Sequence, residues 1–259
     1  MLKAIIFDLD DTLLNDRKSI QEAFKATCDI AAEKHTINPA LLEEQVRWHA
    51  RKLYSSYKTY NFTQEIGINA FEGLWGTFDD GEAFQALHDI ALTYQENTWE
   101  EGLHALQIED AGLAVELAEA FPIFRKKLPF VFDDTFHVLQ ELKKDYQLLM
   151  LTNGSPSLQH TKLEITSELV AYFDDILISG DFGIGKPDPS IFQYILERNN
   201  LAKEQAIMVG DNLNTDILGS NRIGMKNVWI NRNQMEIKDI QPTYEIKQLG
   251  ELLPIIKKI

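Results

Sequence analysis

The chain alternates between short apolar runs and longer stretches with helical periodicity. Residues 2–8, LKAIIFD, are apolar, contain β-branched residues and end in a charged residue, which predicts a buried strand. Runs of the same kind return in the second half of the chain, at 146–154, 175–185, 206–212 and 227–233. The apolar positions therefore predict one strand at the start of the chain and four from residue 146 onwards.

Helical patterns separate the later strands. DTFHVLQELKKD (134–145) and PSIFQYILERNN (189–200) carry apolar residues at steps of three and four. Apolar strands that alternate with helices are typical of a parallel sheet covered on both faces. We therefore predict an α/β fold with a doubly wound, Rossmann-like parallel sheet, in which residues 2–8 join the strands after residue 146.

The segment from about Ser19 to Arg125 has helical periodicity throughout. EEQVRWHARKLYSSYKTY and LAVELAEAF repeat apolar residues at helical spacing, and Pro122 and Pro129 mark the end of this segment. An insertion that interrupts a sheet after its first strand is expected to form a domain of its own. We predict a core of residues 1–15 and 128–259 and an inserted α-helical domain of residues 16–127.

Composition narrows the range of partners and locations. The formal net charge is −15, which disfavours nucleic acids and anionic membrane surfaces, since both are negatively charged. Cys28 is the single cysteine, so no internal disulfide can form. No apolar run approaches the ~18 residues of a membrane span, and the first residues predict a strand rather than a signal peptide. We expect a cytoplasmic protein that is monomeric or a small homo-oligomer.

Polar residues gather where the predicted strands end. They form four groups and one further acid: Asp8-Leu9-Asp10, Thr152-Asn153-Gly154, Gly185-Lys186-Pro187, Gly210-Asp211-Asn212 and Asp216. The carboxyl ends of parallel strands meet at one edge of the sheet, and ligands bind there. Clustered carboxylates need a positive charge beside them. Lys186 supplies one, and Mg²⁺ suits an all-oxygen carboxylate site.

These groups resemble, in order, the four motifs of the haloacid dehalogenase-like superfamily. Asp8-x-Asp10-x-Thr12 resembles motif one, the run that ends in Thr152-Asn153-Gly154 resembles motif two, Lys186 in GKPDP resembles motif three, and GDNLNTD (210–216) resembles motif four. The inserted helical segment resembles the family's cap domain, in the branch where the cap follows motif one directly. The resemblance covers the whole predicted core.

The resemblance implies a role for each acidic residue. Asp8 would be the nucleophile that attacks phosphorus and forms an aspartyl-phosphate. Asp10 would protonate the leaving alkoxide and then deprotonate the attacking water. Mg²⁺ would be held by Asp8, by Asp211 and by the backbone carbonyl of Asp10. Asp216 would orient Lys186 and the water around the metal.

The remaining motif residues would bind the phosphate or support the site. The hydroxyl of Thr152, the backbone N–H of Asn153 and the ammonium of Lys186 would hold the phosphate oxygens as charge develops. Thr12 would be a supporting hydrogen-bond partner, and Asn212 would lie near the metal. Taken singly, these residues have ordinary alternatives, since Asp8 could cap a helix and Lys186 could be a surface lysine.

The function implied is Mg²⁺-dependent hydrolysis of a small phosphate monoester, such as phosphoserine or another small phosphorylated metabolite. Three alternatives remain: a phosphomutase, a halide-displacing hydrolase and a non-catalytic binding protein on the same fold. Residues 180–186, GDFGIGK, match a nucleotide-binding loop, but the next residue is Pro187 and not the serine or threonine that such a loop needs. Asp10 argues against halide displacement, which requires no proton donor.

Two stretches of the insertion are candidates for substrate choice. Arg47 and Arg51 are four residues apart and share a helix face, where they could hold a second anionic group of the substrate. Residues 74–81, LWGTFDDG, form a glycine-bearing loop that includes Thr77. The alternative is that both arginines are solvated and that the neighbouring aromatic residues, Trp48, Tyr54 and Tyr57, form the core of the helical domain.

Overall fold

A computed structural model describes residues 1–237 and 239–259. It divides into two compact units. The sheet unit comprises residues 1–15, 131–154 and 166–259, and the helical unit comprises residues 16–130 and 155–165. Compared with the predicted insertion of residues 16–127, the helical unit also contains residues 128–130 and a second segment that follows the second strand.

Six strands form one sheet in the order β3-β2-β1-β4-β5-β6: β1 (Ala4–Phe7), β2 (Gln147–Thr152), β3 (Asp175–Ile178), β4 (Ala206–Gly210), β5 (Lys226–Ile230) and β6 (Tyr244–Ile246). Every neighbouring pair is parallel. The first strand lies inside the sheet, between β2 and β4, which confirms the predicted α/β fold and the predicted place of residues 2–8. The sequence did not predict β6, a three-residue edge strand.

Twelve α-helices occur in the described residues, in chain order: α1 (Asp16–Lys34), α2 (Pro39–Ser56), α3 (Tyr60–Ile66), α4 (Ala70–Gly73), α5 (Gln85–His104), α6 (Ala111–Lys127), α7 (Thr135–Leu142), α8 (Pro156–Ile165), α9 (Ser179–Phe182), α10 (Pro189–Arg198), α11 (Leu218–Arg222) and α12 (Leu252–Ile256). Helices α1 to α6 and α8 belong to the helical unit, and the others belong to the sheet unit. No helix among the described residues is both long enough and apolar enough to cross a membrane.

The centre of the sheet is fully covered. All four residues of β1 have no exposed surface, as expected for a strand with neighbours on both sides and helices on both faces. On one face, Ala4 and Ile6 pack with Ile191 and Phe192 of α10. Because this strand is rigidly buried, the residue that follows it is held in a defined position at the edge of the sheet.

The helical unit has its own aromatic core. The rings of Phe24 and Phe121 lie 4.6 Å apart between centroids, and Trp99 lies 5.9 Å from Phe24. These residues come from α1, α6 and α5, and α6 packs against both of the other helices. Helix α6 continues through Pro122 and ends at Lys127, between the two prolines that mark the end of the helical segment in the sequence. Proline removes only one hydrogen bond in the helix interior, and tertiary packing can offset that loss.

Candidate active site

The predicted site residues lie at the carboxyl edge of the sheet unit. Asp8 follows β1, Asn153 follows β2 and Asp211 follows β4, and these three strands are neighbours in the order β2-β1-β4. The backbone N–H of Asp8 donates to the carbonyl of Val209 in β4, at 2.9 Å, so the ladder continues to the first site residue. Parallel pairing therefore brings together residues that are up to about two hundred positions apart in the sequence.

Lys186 lies at the centre of the site and connects two of its carboxylates. Its Nζ donates three hydrogen bonds of 2.7 Å each, to Oδ1 of Asp8, to Oδ1 of Asp216 and to the carbonyl of Leu151. Burial by itself would lower the pKa of Lys186, but Asp216 and Asp8 outweigh that effect and raise the pKa above its ordinary value. The ammonium is therefore charged at neutral pH, and it offsets two buried carboxylates.

A tight turn shapes the segment that carries Asp8 and Asp10. The N–H groups of Leu13 and Leu14 both donate to the carbonyl of Leu9, at 2.9 and 3.0 Å. Asp11 lies within this turn with a φ of +59°, in the left-handed region that aspartate tolerates better than most residues. Asp11 thus has a conformational reason to occupy this position of the turn.

The hydroxyl of Thr12 reaches back across this turn. Thr12 Oγ1 donates to Oδ2 of Asp8 at 3.2 Å, and Thr12 has no exposed surface. The two oxygens of Asp8 are thus bound by different partners, since Oδ1 accepts from Lys186. A carboxylate held at both oxygens has one orientation, which a nucleophile needs in order to meet its target.

Three carboxylates form the acidic cluster of the site. Asp8, Asp211 and Asp216 each offer an oxygen, and these oxygens lie within 4.8 Å of one another. Asp216 was expected only to support the site, yet its carboxylate belongs to the same cluster as those of Asp8 and Asp211. The pKa of Asp216 is raised to about 6 in total. Burial is the main cause of the rise, Lys186 opposes it, and Asp8 adds to it.

Gly210 makes room for Asp216. A Cβ atom on Gly210 would lie 2.2 Å from Oδ2 and 2.3 Å from Cγ of Asp216. The same carboxylate accepts a hydrogen bond of 3.0 Å from the backbone N–H of Asn212. The side chain of Asn212 itself is exposed and accepts from the N–H of Asn214, so it caps the following turn. Its predicted place near the metal stays a prediction.

Asn153 has a function that sequence reasoning missed. Its side-chain Nδ2 donates to the carbonyl of Lys186 at 2.9 Å, and its Oδ1 accepts from the N–H of Lys186 at 2.8 Å. This reciprocal pair fixes the backbone of Lys186 from the neighbouring strand end. Thr152, the last residue of β2, is buried beside it. The predicted contacts of Thr152 and Asn153 with phosphate stay predictions.

In the helical unit, the arginines proposed for substrate choice already have partners. Arg47 Nε donates to Glu43 at 2.8 Å, and its guanidinium lies 4.1 Å from the ring centroid of Phe24. Arg51 lies 4.8 Å from the ring of Phe71. Thr77 is exposed and lines a small pocket of about 50 Å³. The structure therefore gives the two arginines a stacking role within the helical unit.

The family of this protein follows from its similarity to known proteins. The model of the haloacid dehalogenase-like hydrolases matches residues 2–224, which is most of the chain. This protein therefore belongs to that hydrolase family, in its phosphatase branch, which confirms the resemblance seen in the four motifs. The six-stranded parallel sheet with added helices is the architecture of that family.

Individual relatives share nearly the whole chain. A phosphoserine phosphatase from Thermus thermophilus is 32% identical, over 97% of this chain and 98% of its own. Among solved structures, the magnesium-bound HAD-hydrolase YfnB from Bacillus subtilis superposes with a TM-score of 0.66 at 24% identity, covering 98% of each chain. A 2-haloacid dehalogenase from Pseudomonas syringae has a TM-score of 0.64 at 27% identity, covering 100% of this chain and 99% of its own.

Proposed function

We propose that this protein is a Mg²⁺-dependent phosphatase that hydrolyses a small phosphate monoester through an aspartyl-phosphate intermediate. The observation that supports this proposal most directly is the pair of hydrogen bonds that Lys186 donates. They reach the candidate nucleophile Asp8 and the neighbouring Asp216, at 2.7 Å each. A fixed carboxylate beside a buried cation at the end of a strand can attack a phosphorus atom whose negative oxygens need neutralisation.

The donor set of the site fits Mg²⁺. Asp8, Asp211 and Asp216 offer three carboxylate oxygens within 4.8 Å of one another, and oxygen ligands are what this ion prefers. Asp8 and Asp211 would hold the ion together with the backbone carbonyl of Asp10. When bound, Mg²⁺ would neutralise phosphate oxygens and so stabilise the charge that develops during transfer.

The chain's own residues would perform the two steps. A carboxylate oxygen of Asp8 attacks phosphorus and the bond from phosphorus to the alcohol oxygen breaks, while Asp10 gives that oxygen a proton. A water molecule then attacks the aspartyl-phosphate and gives a proton to Asp10, so that inorganic phosphate leaves and Asp8 is restored. Lys186, Thr152 and the N–H of Asn153 would hold the phosphate oxygens throughout.

The substrate we propose first is phosphoserine. The support is the full-length phosphoserine phosphatase relative at 32% identity, and another small phosphorylated metabolite is the second choice. The partner would thus be a small molecule, and a cytoplasmic location and a monomer or small homo-oligomer also remain proposals. The −15 net charge weighs against a nucleic acid partner.

Halide displacement is the second candidate, because a 2-haloacid dehalogenase is similar over the whole chain at 27% identity. It is less favoured, since Asp10 would have no proton to deliver and the acidic cluster would have no cation to hold. A phosphomutase would share the first step, and a non-catalytic protein would share only the fold. Assays with p-nitrophenyl phosphate and 2-chloropropionate, each with Mg²⁺ or EDTA, separate phosphoryl transfer from halide displacement and from a non-catalytic protein.

Two substitutions test the mechanism. Asp8→Asn should abolish phosphatase activity, because the amide is a poor nucleophile, and near-normal turnover would rule out the proposed first step. Asp10→Asn should lower kcat by about 10²- to 10⁴-fold for an alkyl phosphate. The loss should be smaller for p-nitrophenyl phosphate, whose leaving group needs little protonation. Equal losses for both substrates would contradict the acid–base role of Asp10.

A further inference from the structure

Strand β5 carries none of the four motifs, yet two side chains at its end bind the loops that do. Nε1 of Trp229 donates to the backbone carbonyl of Asp211 at 2.8 Å, and Nη2 of Arg232 donates to the backbone carbonyl of Thr12 at 3.1 Å. We propose that Trp229 and Arg232 are positioning residues for the metal-binding acids. The expected effect on Mg²⁺ binding rests on the proposed function, whereas the contacts with the two loops do not depend on it.

Trp229 is well placed to fix Asp211. It pairs with Gly210 across β4 and β5 and has no exposed surface, so its ring has no freedom to move away. The indole N–H is a donor only, and here it binds the carbonyl of the residue directly after the partner strand. Holding that peptide group fixes the backbone from which the Asp211 carboxylate extends.

Arg232 fixes the opposite loop. Its guanidinium carbon lies 3.6 Å from the ring centroid of Phe132, and the next carbonyl of the loop, that of Leu13, accepts from the N–H of Phe132 at 3.1 Å. The hydroxyl of Thr135 donates to the same Leu13 carbonyl at 3.0 Å. Two consecutive carbonyls after Asp10 are therefore held from outside the loop, and Arg232 supplies the contact closer to the acids.

A purely electrostatic role for Arg232 predicts a change in Mg²⁺ affinity in the opposite direction from that of a positioning role. Asp11, Asp134 and Asp211 all lie close enough to act on its charge. A cation near a metal site repels a divalent ion, so removing that charge alone would strengthen Mg²⁺ binding. Positioning predicts instead that its removal weakens Mg²⁺ binding, because the loop loses its defined conformation. The direction of the change in affinity therefore separates the two roles.

The test uses two variants with matched controls in the full chain. Trp229→Phe keeps a buried ring and removes the N–H, and Arg232→Met keeps the stem and removes the donors. Trp99→Phe is the control for ring volume, since Trp99 is equally buried and its Nε1 has no hydrogen-bond partner among the described residues. Arg198→Met is the control for a lost ion pair, since Arg198 binds Asp175 at the start of β3.

Mg²⁺ affinity is measured by titration calorimetry, and hydrogen exchange by mass spectrometry of peptides spanning residues 9–14 and 211–213 in EDTA. We expect Trp229→Phe and Arg232→Met each to weaken Mg²⁺ binding by about tenfold. This value is the lower end of the range of losses typical for residues that orient metal ligands. We expect exchange in the matching loop to accelerate, with both controls unchanged. Arg232→Lys, which keeps a charge and a donor, should recover part of the affinity.

Unchanged or stronger Mg²⁺ binding in both test variants, with unchanged exchange in both loops, would overturn the proposal. If the unaltered protein binds no Mg²⁺, the proposed metal centre fails, and the exchange measurement still decides whether Trp229 and Arg232 hold the loops. If the unaltered protein binds Mg²⁺ but hydrolyses no phosphate ester, the proposed function fails and both measurements on the loops still stand.

Discussion

Lys186 and Asp8, which lie 178 positions apart in the sequence, form a buried ion pair of 2.7 Å between Nζ and Oδ1. The pair has little contact with water, since the side chains are 2% and 11% exposed. Burying two charges is costly unless each has partners, and here Asp216 and the carbonyl of Leu151 complete the environment of the ammonium. The contact thus joins the candidate nucleophile to the cation that would receive the phosphate.

Replacing Lys186 should therefore affect both activity and stability. Lys186→Met leaves Asp8 and Asp216 buried without their shared cation, and breaking such a pair costs on the order of 3–5 kcal/mol. We expect no measurable phosphatase activity and a loss of that size in the free energy of unfolding by urea in EDTA. Adding Mg²⁺ should restore part of the stability, because the ion replaces some of the missing positive charge.

The control for this prediction is an exposed ion pair. Lys143 bonds Asp174 at 2.6 Å, but both side chains are about one third exposed. Lys143→Met should cost at most about 1 kcal/mol and leave activity unchanged. Similar stability losses in Lys143→Met and Lys186→Met would show that the buried pair has no special importance for the fold.

A second prediction concerns Gly210. In Gly210→Ala the new methyl group would lie 2.2 Å from the Asp216 carboxylate, which is bonded to Lys186 and cannot move without breaking that bond. We expect a large loss of activity, on the order of tenfold or more, because a displaced Asp216 no longer orients Lys186. Gly112→Ala is the matched control, since its nearest neighbour would lie at an ordinary 3.5 Å. Normal kcat/KM in Gly210→Ala would contradict this view of Asp216.

The hydrophobic pattern of the chain predicts its buried strands and the acids that follow them, but not its edge strand or the side-chain contacts with distant backbone groups. The strands at residues 2–8 and after 146 could be predicted because a buried parallel strand is apolar along its whole length. Strand β6 (Tyr244–Ile246) could not, because an edge strand of three residues has almost no pattern. The site acids could be found because they follow apolar runs. The contacts of Trp229 and Asn153 could not, since a side chain that binds a distant backbone group has no sequence signal.

A third prediction concerns acid sensitivity of the helical unit. Asp16 accepts a hydrogen bond of 2.6 Å from Nη2 of Arg125, and both residues are buried. Burial would raise the pKa of Asp16, but Lys162 and Arg125 outweigh it and hold the pKa below its usual 3.8. The folded state then binds fewer protons at Asp16 than the unfolded state, so this stabilisation is present above pH 3.8 and is lost as the pH falls through the lower, folded-state pKa.

Unfolding of the unaltered protein and of Asp16→Asn, compared at several pH values, measures this contribution. The difference in the free energy of unfolding should be constant from about pH 5 to 8 and should shrink below about pH 4, where the unfolded carboxyl takes up its proton. Asp29→Asn is the control, because Asp29 lies on the same helix and is exposed. A difference for Asp16→Asn that stays constant down to pH 3 would refute this account.

The last prediction concerns the reactivity of Cys28 on α1. This residue has no exposed surface and lies in the core of the helical unit. Burial raises the pKa of the thiol, and the nearby Glu43 and Asp29 add to the rise. The thiolate is the reactive form, so the folded protein should contain almost none of it at Cys28.

Labelling with a thiol reagent at about pH 8 should therefore report the opening of the helical unit. We expect Cys28 to react at least about a hundredfold more slowly than a free thiol, since a core residue becomes accessible only through unfavourable opening. Its rate should rise with urea in parallel with unfolding. Ser55→Cys in a Cys28→Ser background is the control, because position 55 is exposed on α2 and should react at once. Immediate, complete labelling of Cys28 without denaturant would mean that α1 is not held in the core as described.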